Sequence, residues 1–322
     1  MTPEPALDRY DVVVVGGGAA GLSAAVVLAR AGRAVLVVDA GEHRNASAEA
    51  VHGLLALDGV RPADLISRGR DEVHAYGGEV VHGRVVSAGR APDGFSVVLE
   101  GGAVVPSRRL LVATGLVDEL PDVPGVRARW GRDVLHCPYC HGHEVRGRAI
   151  GVLATGPEAV HQALVFRQWS PDVVLLRHSA APPTDAEREQ LEARDVVVVE
   201  GHVDGLVTED DRLVGVRLAS GELMARDVVA VSPRGIAQVG SLTSLGLATT
   251  DRGSCVVLEA DARGRTTVPG VWAAGNVVDP AAQVVGAAAA GAQVGAALNT
   301  DLVDDDVARA VDARRRNILS TR

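Results

Sequence analysis

A chain of 322 residues is long enough for two domains, because single hydrophobic cores stop growing at about 250–300 residues. Hydrophobic residues make up 47% and charged residues 23%, an ordinary globular composition whose apolar runs fall far short of the roughly 20 residues that span a bilayer. Its 32 basic residues, every one Arg, are outnumbered by 41 acidic ones, and the net charge of −9 speaks against a nucleic-acid partner and removes lysine chemistry.

Met1–Arg9 lacks the basic start, apolar middle and small-residue cleavage site of a secretory signal, so a cytoplasmic location is expected. Tyr10–Val15 then reads as a buried strand, followed by Gly16-Gly17-Gly18-Ala19-Ala20-Gly21 and an Ala/Leu-rich helix to Ala31 that Gly32 stops. Ala34–Val38 is a second strand, and Asp39 ends it 18 residues after Gly21. This strand–turn–helix–strand unit is a dinucleotide fingerprint: Gly16 for the tight turn, Gly18 for close approach to a diphosphate, Gly21 for helix packing. The helix N-terminus, with Ala19 and Ala20, offers N–H groups to phosphates, and Asp39, followed by Ala40, offers an acceptor to a ribose hydroxyl. The competing reading is a glycine-rich turn in an unrelated α/β protein.

From Glu42 to Asp71 the chain reads as irregular and polar. Val80–Val86 and Phe95–Val105 suggest a hairpin or meander turning at Asp93-Gly94, and Leu110–Val112 leads into Ala113-Thr114-Gly115. The proline-rich stretch Leu120–Gly125 suits a domain boundary.

The chain has three Cys, too few for a disulfide framework, and Cys137 and Cys140 are spaced for redox or metal chemistry. Such a pair lies within disulfide reach on a first helical turn, where the dipole favours thiolate. With His141 and His143 it could instead hold zinc, but one compact cluster lacks the usual second ligand pair, and no metal is expected. Cys255, in a strand-like run, reads as a small buried hydrophobe.

A second unit follows: strand Ala149–Leu153, a turn Ala154-Thr155-Gly156-Pro157, a helix to about Trp169 and strand Val173–Leu176. Further strands are expected at Val196–Val199, Leu213–Leu218 and Val228–Val231. Val271–Ala274 is a short strand ending at Gly275-Asn276, and a helix dense in Ala and Gly covers Gln283–Thr300. Its small residues suit either close packing or simply an Ala-rich protein. The tail Asp304–Arg316 reads as solvated helix, with acids first and bases last to suit the dipole.

Together, Gly16-x-Gly18-x-x-Gly21 with Asp39, Ala113-Thr114-Gly115, Cys137-Pro138-Tyr139-Cys140 and Thr267–Gly275 resemble the low-molecular-weight thioredoxin reductases, FAD-dependent pyridine nucleotide–disulfide oxidoreductases. The resemblance covers nearly the whole chain. It implies an α/β fold of two Rossmann-like, three-layer ββα domains: a discontinuous FAD domain at 1–115 and 241–322, and a pyridine-nucleotide-like domain at 116–240 carrying the CxxC. It implies a homodimer, FAD as cofactor, Cys137 as the interchange residue and Cys140 facing the flavin. Thr114, Gly115, Gly275, Asn276, Gln283 and Val284 would also contact FAD; Asn45 and His52 would pass near its isoalloxazine, or be loop residues with no contact.

Departures from the pattern refine this. The second nucleotide turn has Ala154 for its first glycine, Pro157 removes an N–H, and Leu176–Pro183 holds a single Arg where the family has a cluster for a 2′-phosphate. These speak against NADPH. His141 stands where an acid is usual, which resembles a branch that oxidises small-molecule dithiols, including the enzymes that close the disulfides of holomycin, gliotoxin and romidepsin. In that branch oxygen takes the electrons. The expected activity is oxidation of a small dithiol through Cys137 and Cys140, with His141, or His143 in reserve, as proton acceptor. Alternatives are an NADPH-dependent reductase of thioredoxin or another disulfide, and a flavin redox sensor without steady turnover.

Overall fold

In chain order, the computed structural model, which describes residues 5–320, places β1 (Tyr10–Val15), α1 (Ala19–Arg30), β2 (Val35–Asp39), α2 (Pro62–Ala75), β3 (Glu79–His82), β4 (Val85–Ala91), β5 (Gly94–Leu99), β6 (Val104–Val112) and β7 (Leu116–Glu119). Then come α3 (Val126–Arg129), β8 (Val134–Leu135), α4 (Pro138–His141), β9 (Ile150–Leu153), α5 (Glu158–Phe166), β10 (Val173–Leu176), α6 (Asp185–Glu192), β11 (Val197–Val199), β12 (Val203–Glu209), β13 (Arg212–Leu218), β14 (Leu223–Ala225) and β15 (Val228–Val231). Last are β16 (Arg234–Ala237), β17 (Thr249–Asp251), β18 (Cys255–Leu258), β19 (Val271–Ala273) and α7 (Val284–Ser320).

Two compact units result. The first comprises the chain up to Arg44, Ala63–Val117 and the chain from Ile236 on; the second comprises Asn45–Pro62 and Asp118–Gly235. In the first unit β3, β2, β1 and β6 lie side by side in parallel, and β6 is long enough to serve two neighbours. Its start pairs antiparallel with β5 of the β4–β5–β6 meander, and its end, Leu110–Val112, pairs in parallel with β19. Strand alternation assigns side chains to layers: Val12 and Val14 join α1 and α7 on one face, while Val13 and Val15 join the meander side on the other.

The second unit repeats this plan with the all-parallel order β11-β10-β9-β15-β8. Ile150, Val152, Val228 and Ala230 pack with α5, whereas Leu153, Val229 and Val231 pack with the antiparallel β12–β14 ribbon. Each unit is therefore a ββα sandwich of the Rossmann-like kind.

Three local readings change. The polar stretch up to Asp71 contains α2, an amphipathic helix whose Ile66 and Val73 are buried; its Pro, Gly and charges mask the helical period. β12 went unread, although the hairpin behind it turns at Asp210 and Asp211, both at positive φ. The tail from Asp304 continues α7 and is not merely solvated, because Asp301, Asp305 and Asp306 pair with Arg109, Arg108 and Arg33 of the first unit.

The small residues of α7 are there for close approach. A Cβ at Gly291 would fall 2.0 Å from the Ala20 carbonyl oxygen of α1, whereas one at Gly286 would meet only the Ala282 methyl at 3.7 Å. Gly291→Ala should therefore destabilise the protein by about 1–3 kcal/mol, as overpacking does, while Gly286→Ala should be neutral or stabilising. Chemical unfolding of the two variants checks this; equal midpoints would show that α7 yields to the added methyl.

Candidate active site

In the first unit, β1 delivers the chain into a turn that only a glycine fills easily. Gly16 has φ +107°, and a Cβ there would lie 2.4 Å from the Ala113 carbonyl oxygen. Gly21 packs against the Gly16 carbonyl. Gly18 caps α1 without any side-chain bond to its N–H groups and opens on empty space, so Ala19, Ala20 and their neighbours present unsatisfied donors outward. Beside this cradle, Thr114 Oγ1 is buried with no hydrogen-bond partner. Open space over a glycine cap and an orphaned hydroxyl at its edge are what a dinucleotide would fill. The residues present fit FAD.

Asp39, at the end of β2, is almost fully buried and heavily engaged. Its Oδ1 accepts from Gly17 N at 3.3 Å and Gly41 N at 3.1 Å; its Oδ2 accepts from Arg70 at 2.5 Å and lies 3.3 Å from His43 Nε2. Burial works to raise the carboxyl pKa, but His43, Arg70 and the Gly41 N–H outweigh it and hold the group well below the usual carboxylate range. Arg70 comes from α2, the unread helix, so nothing in the local sequence pointed to this partner. A ribose hydroxyl at Asp39 has to share the carboxylate with an arginine.

Gly275 stands at φ +81°, and Asn276 turns its amide into its own loop, donating to the Asp279 and Ala282 carbonyls at 2.9 Å each. Gln283 precedes α7, which Val284 opens, and its carbonyl accepts from Ala287 N at 2.8 Å. Gly115 follows β6 at φ +67°, and Ala40 follows Asp39, half-buried. Asn45 and His52 fall in the second unit, whereas the other predicted cofactor residues fall in the first.

In the second unit, β8 leads to His136 and Cys137, and Cys137 caps α4 in extended conformation with Pro138 at the first helical position. Cys137 and Cys140 are both half-buried, and Cys140 N donates to the Cys137 carbonyl at 3.3 Å. α4 is a single turn, so the dipole expected to favour thiolate at the cysteines is that of one turn only. Tyr139, between the cysteines, is 69% exposed and meets Trp169 edge-on at 5.9 Å. It forms one wall of a groove of about 550 Å³ lined also by His161, Leu164, Val165 and Arg194.

His141 ends α4 with both ring nitrogens buried and neither hydrogen-bonded. Burial holds its pKa below the ordinary imidazole value; Glu144 and the nearby Cys137 carbonyl pull it up, and the charge of His52 pushes it down. The neutral ring is thus favoured, with a free lone pair. His143 is exposed, and among the described residues no group of three or more His, Cys, Asp and Glu could hold a metal ion. Cys255 is buried in β18 of the first unit.

Gln162 was not foreseen. This buried side chain on the apolar face of α5 donates to the His136 carbonyl at 2.8 Å and the Val231 carbonyl at 3.2 Å, and accepts from Ser232 Oγ at 3.3 Å. His136 Nδ1 lies 3.1 Å from the same Val231 carbonyl. Together they fasten the residue before Cys137 to the end of β15. The available signal was a lone amide among Ala159, Ala163 and Phe166.

The second nucleotide turn differs from the first. The Ala154 carbonyl is taken by Ser179 and Ala180 N–H groups, and Glu158 folds its carboxylate over Gly156, 2.8 Å from where a Cβ would stand. Arg177, the single arginine of its stretch, is bound to Glu200 and to the Ala180 carbonyl.

Residues 10–293 match the family of pyridine nucleotide-disulphide oxidoreductases. The chain is 52% identical to HlmI, whose crystal structure superposes with a TM-score of 0.91 over 96% of this chain and 98% of that one. It is 30% identical over 320 residues to thioredoxin reductase sirT of Leptosphaeria maculans, covering 93% of this chain and 96% of the relative. With thioredoxin reductase tcpT of Claviceps purpurea it shares 36% identity over 155 residues, and there the match spans about half of each, 46% and 47%. The chain belongs to the pyridine nucleotide–disulphide oxidoreductase family, as a thioredoxin-reductase-like enzyme that uses FAD and acts on sulfur groups.

Proposed function

We propose that the chain is a dithiol oxidase, closing a disulfide in a small molecule with oxygen as the final electron acceptor. The observation that carries this reading is the second nucleotide turn. NADPH brings a diphosphate and a 2′-phosphate, and this turn offers them the Glu158 carboxylate, a proline without an N–H at position 157, and an arginine already committed to Glu200. A reductase needs that nucleotide as its electron source, whereas an oxidase draws its electrons from the substrate.

The proposed chemistry begins with the cysteines joined. One substrate sulfur attacks Cys137, the Cys137–Cys140 bond breaks, and Cys140 leaves as thiolate; the second substrate sulfur then displaces Cys137, closing the substrate disulfide and leaving both cysteines reduced. His141, neutral and buried beside them, takes the proton as each substrate sulfur becomes a nucleophile and passes it to water. FAD, held at the Gly16–Gly21 turn, would supply a two-electron relay from the reduced pair to oxygen, which would be released as hydrogen peroxide. Gln162 holds the backbone before Cys137 against β15, so the attacked sulfur stays in place during both exchanges.

A second reading, an NADPH-dependent disulfide reductase, is favoured by the names of the relatives sirT and tcpT. Anaerobic mixing of the yellow, FAD-loaded protein decides between them. Dithiothreitol should bleach the flavin and NADPH should not, and admitting oxygen should restore colour with one hydrogen peroxide formed per disulfide. Rapid bleaching by NADPH would overturn the oxidase.

A further inference from the structure

The segment Asn45–Pro62 belongs to the second unit, and one of its side chains is held from both sides. His52 Nδ1 lies 3.3 Å from Asp58 Oδ2, and its Nε2 lies 3.4 Å from Glu144 Oε1. Asp58 is fixed in turn by Gly53, whose N–H donates to Oδ1 at 2.8 Å. A carboxylate at each ring nitrogen sets the orientation of the imidazole, as second partners do for functional histidines. Glu144 sits three residues beyond His141, on the turn where Val145 N donates to the His141 carbonyl at 3.2 Å. It is therefore paired with His52, and its charge also acts on His141.

We propose that His52 is a positioning residue for the sulfur chemistry: by holding Glu144 it governs how that carboxylate serves His141, the acceptor of the substrate's proton. The inference rests on the reading of His141 as the proton acceptor. Its physical basis is the sign of each influence. The Glu144 carboxylate favours a protonated His141, and the charge of His52 opposes it. A bond between His52 and Glu144 draws on the same carboxylate that would otherwise keep His141 protonated. His141 is left neutral to receive a proton, with Glu144 still near enough to steady it once charged. Two further titratable groups lie in the neighbourhood. His143 acts on Asp58, and His161 of α5, which packs against α4, lines the groove at Tyr139.

The test reads His141 directly. The FAD-loaded protein, labelled with ¹³C-histidine, is titrated by NMR, and the His141 resonance among the ten histidines is identified by its loss in His141→Gln. His52→Gln removes the opposing charge and releases Glu144, so the His141 midpoint should rise by about half a unit or more. Glu144→Gln removes the favourable charge, so the midpoint should fall by a similar amount. Glu144 is exposed, so its variant should keep the fold and give an answer even if His52→Gln does not. Opposite shifts are a signature that a loosened loop does not produce; shifts of the same sign, or none, would overturn the proposal. Dithiol bleaching of the same samples separates the two claims. Opposed shifts in a protein bleached only by NADPH would keep the link between the histidines and discard the oxidase, whereas normal bleaching by dithiol with an unmoved His141 would do the reverse.

Discussion

Under the proposed dithiol-oxidase mechanism, Cys137→Ser and Cys140→Ser should each reduce dithiol oxidation to background while leaving the protein yellow. Exchange requires one sulfur to be attacked and a second to leave and later resolve, so neither cysteine can substitute for its neighbour. Serine preserves the volume and the backbone of α4, and the cradle around Gly16, Gly18 and Thr114 lies in the other unit, so FAD content should be unchanged. The two variants differ in what they leave. Cys137→Ser retains Cys140, the sulfur expected from family resemblance to face the flavin, and should show a long-wavelength charge-transfer band in its thiolate form; Cys140→Ser should lack that band. Oxygen uptake with dithiothreitol, read beside the visible spectrum, checks both. Turnover in either variant above a few per cent of the parent would mean that the substrate reaches the flavin without the pair.

The legible parts of the chain were those in which local sequence and function coincide. Gly16, Gly18, Gly21 and Asp39 recur at spacings that a phosphate-binding turn demands, and β1, α1 and β2 have uninterrupted periods, so the first nucleotide unit could be read residue by residue. Cys137 and Cys140 were equally visible. What escaped was set by long-range packing. Arg70 is one arginine among 32, and nothing local tells that it reaches Asp39. His52 lies in a stretch without periodicity, and only the folded second unit brings it to Glu144, 92 positions on. α2 hid for a different reason: Gly69, a poor helix former, stands in it where the helix lies against Leu22 of α1, so a residue chosen for contact disguised the element. The tail of α7 was read as helix, as it is, but its ion pairs escaped because its aspartates suit both solvent and the arginines of β6 that they meet.

His141→Ala should lower the rate of flavin reduction by dithiol by roughly 100- to 10,000-fold, the usual range for a positioned acid–base group. The ring nitrogens of His141 are buried and make no hydrogen bond of full geometry, so removing the imidazole gives up little beyond its weak contact with the Cys137 carbonyl. FAD should stay bound and the fold intact. The pH dependence carries the sign. Burial lowers the His141 pKa, the neutral ring is the active base, and the rate should therefore be flat above that pKa and fall as pH drops through it, giving an acid limb displaced below the ordinary imidazole value of about 6.5. In His141→Ala this limb should vanish, leaving a rate that rises with pH as the substrate thiol ionises by itself; added imidazole should recover part of the loss at neutral pH. Stopped-flow reduction across the pH range measures all three effects. Normal rates with an unchanged limb would assign the proton to exposed His143 or to solvent, and would leave His141 as a packing residue beside the cysteines.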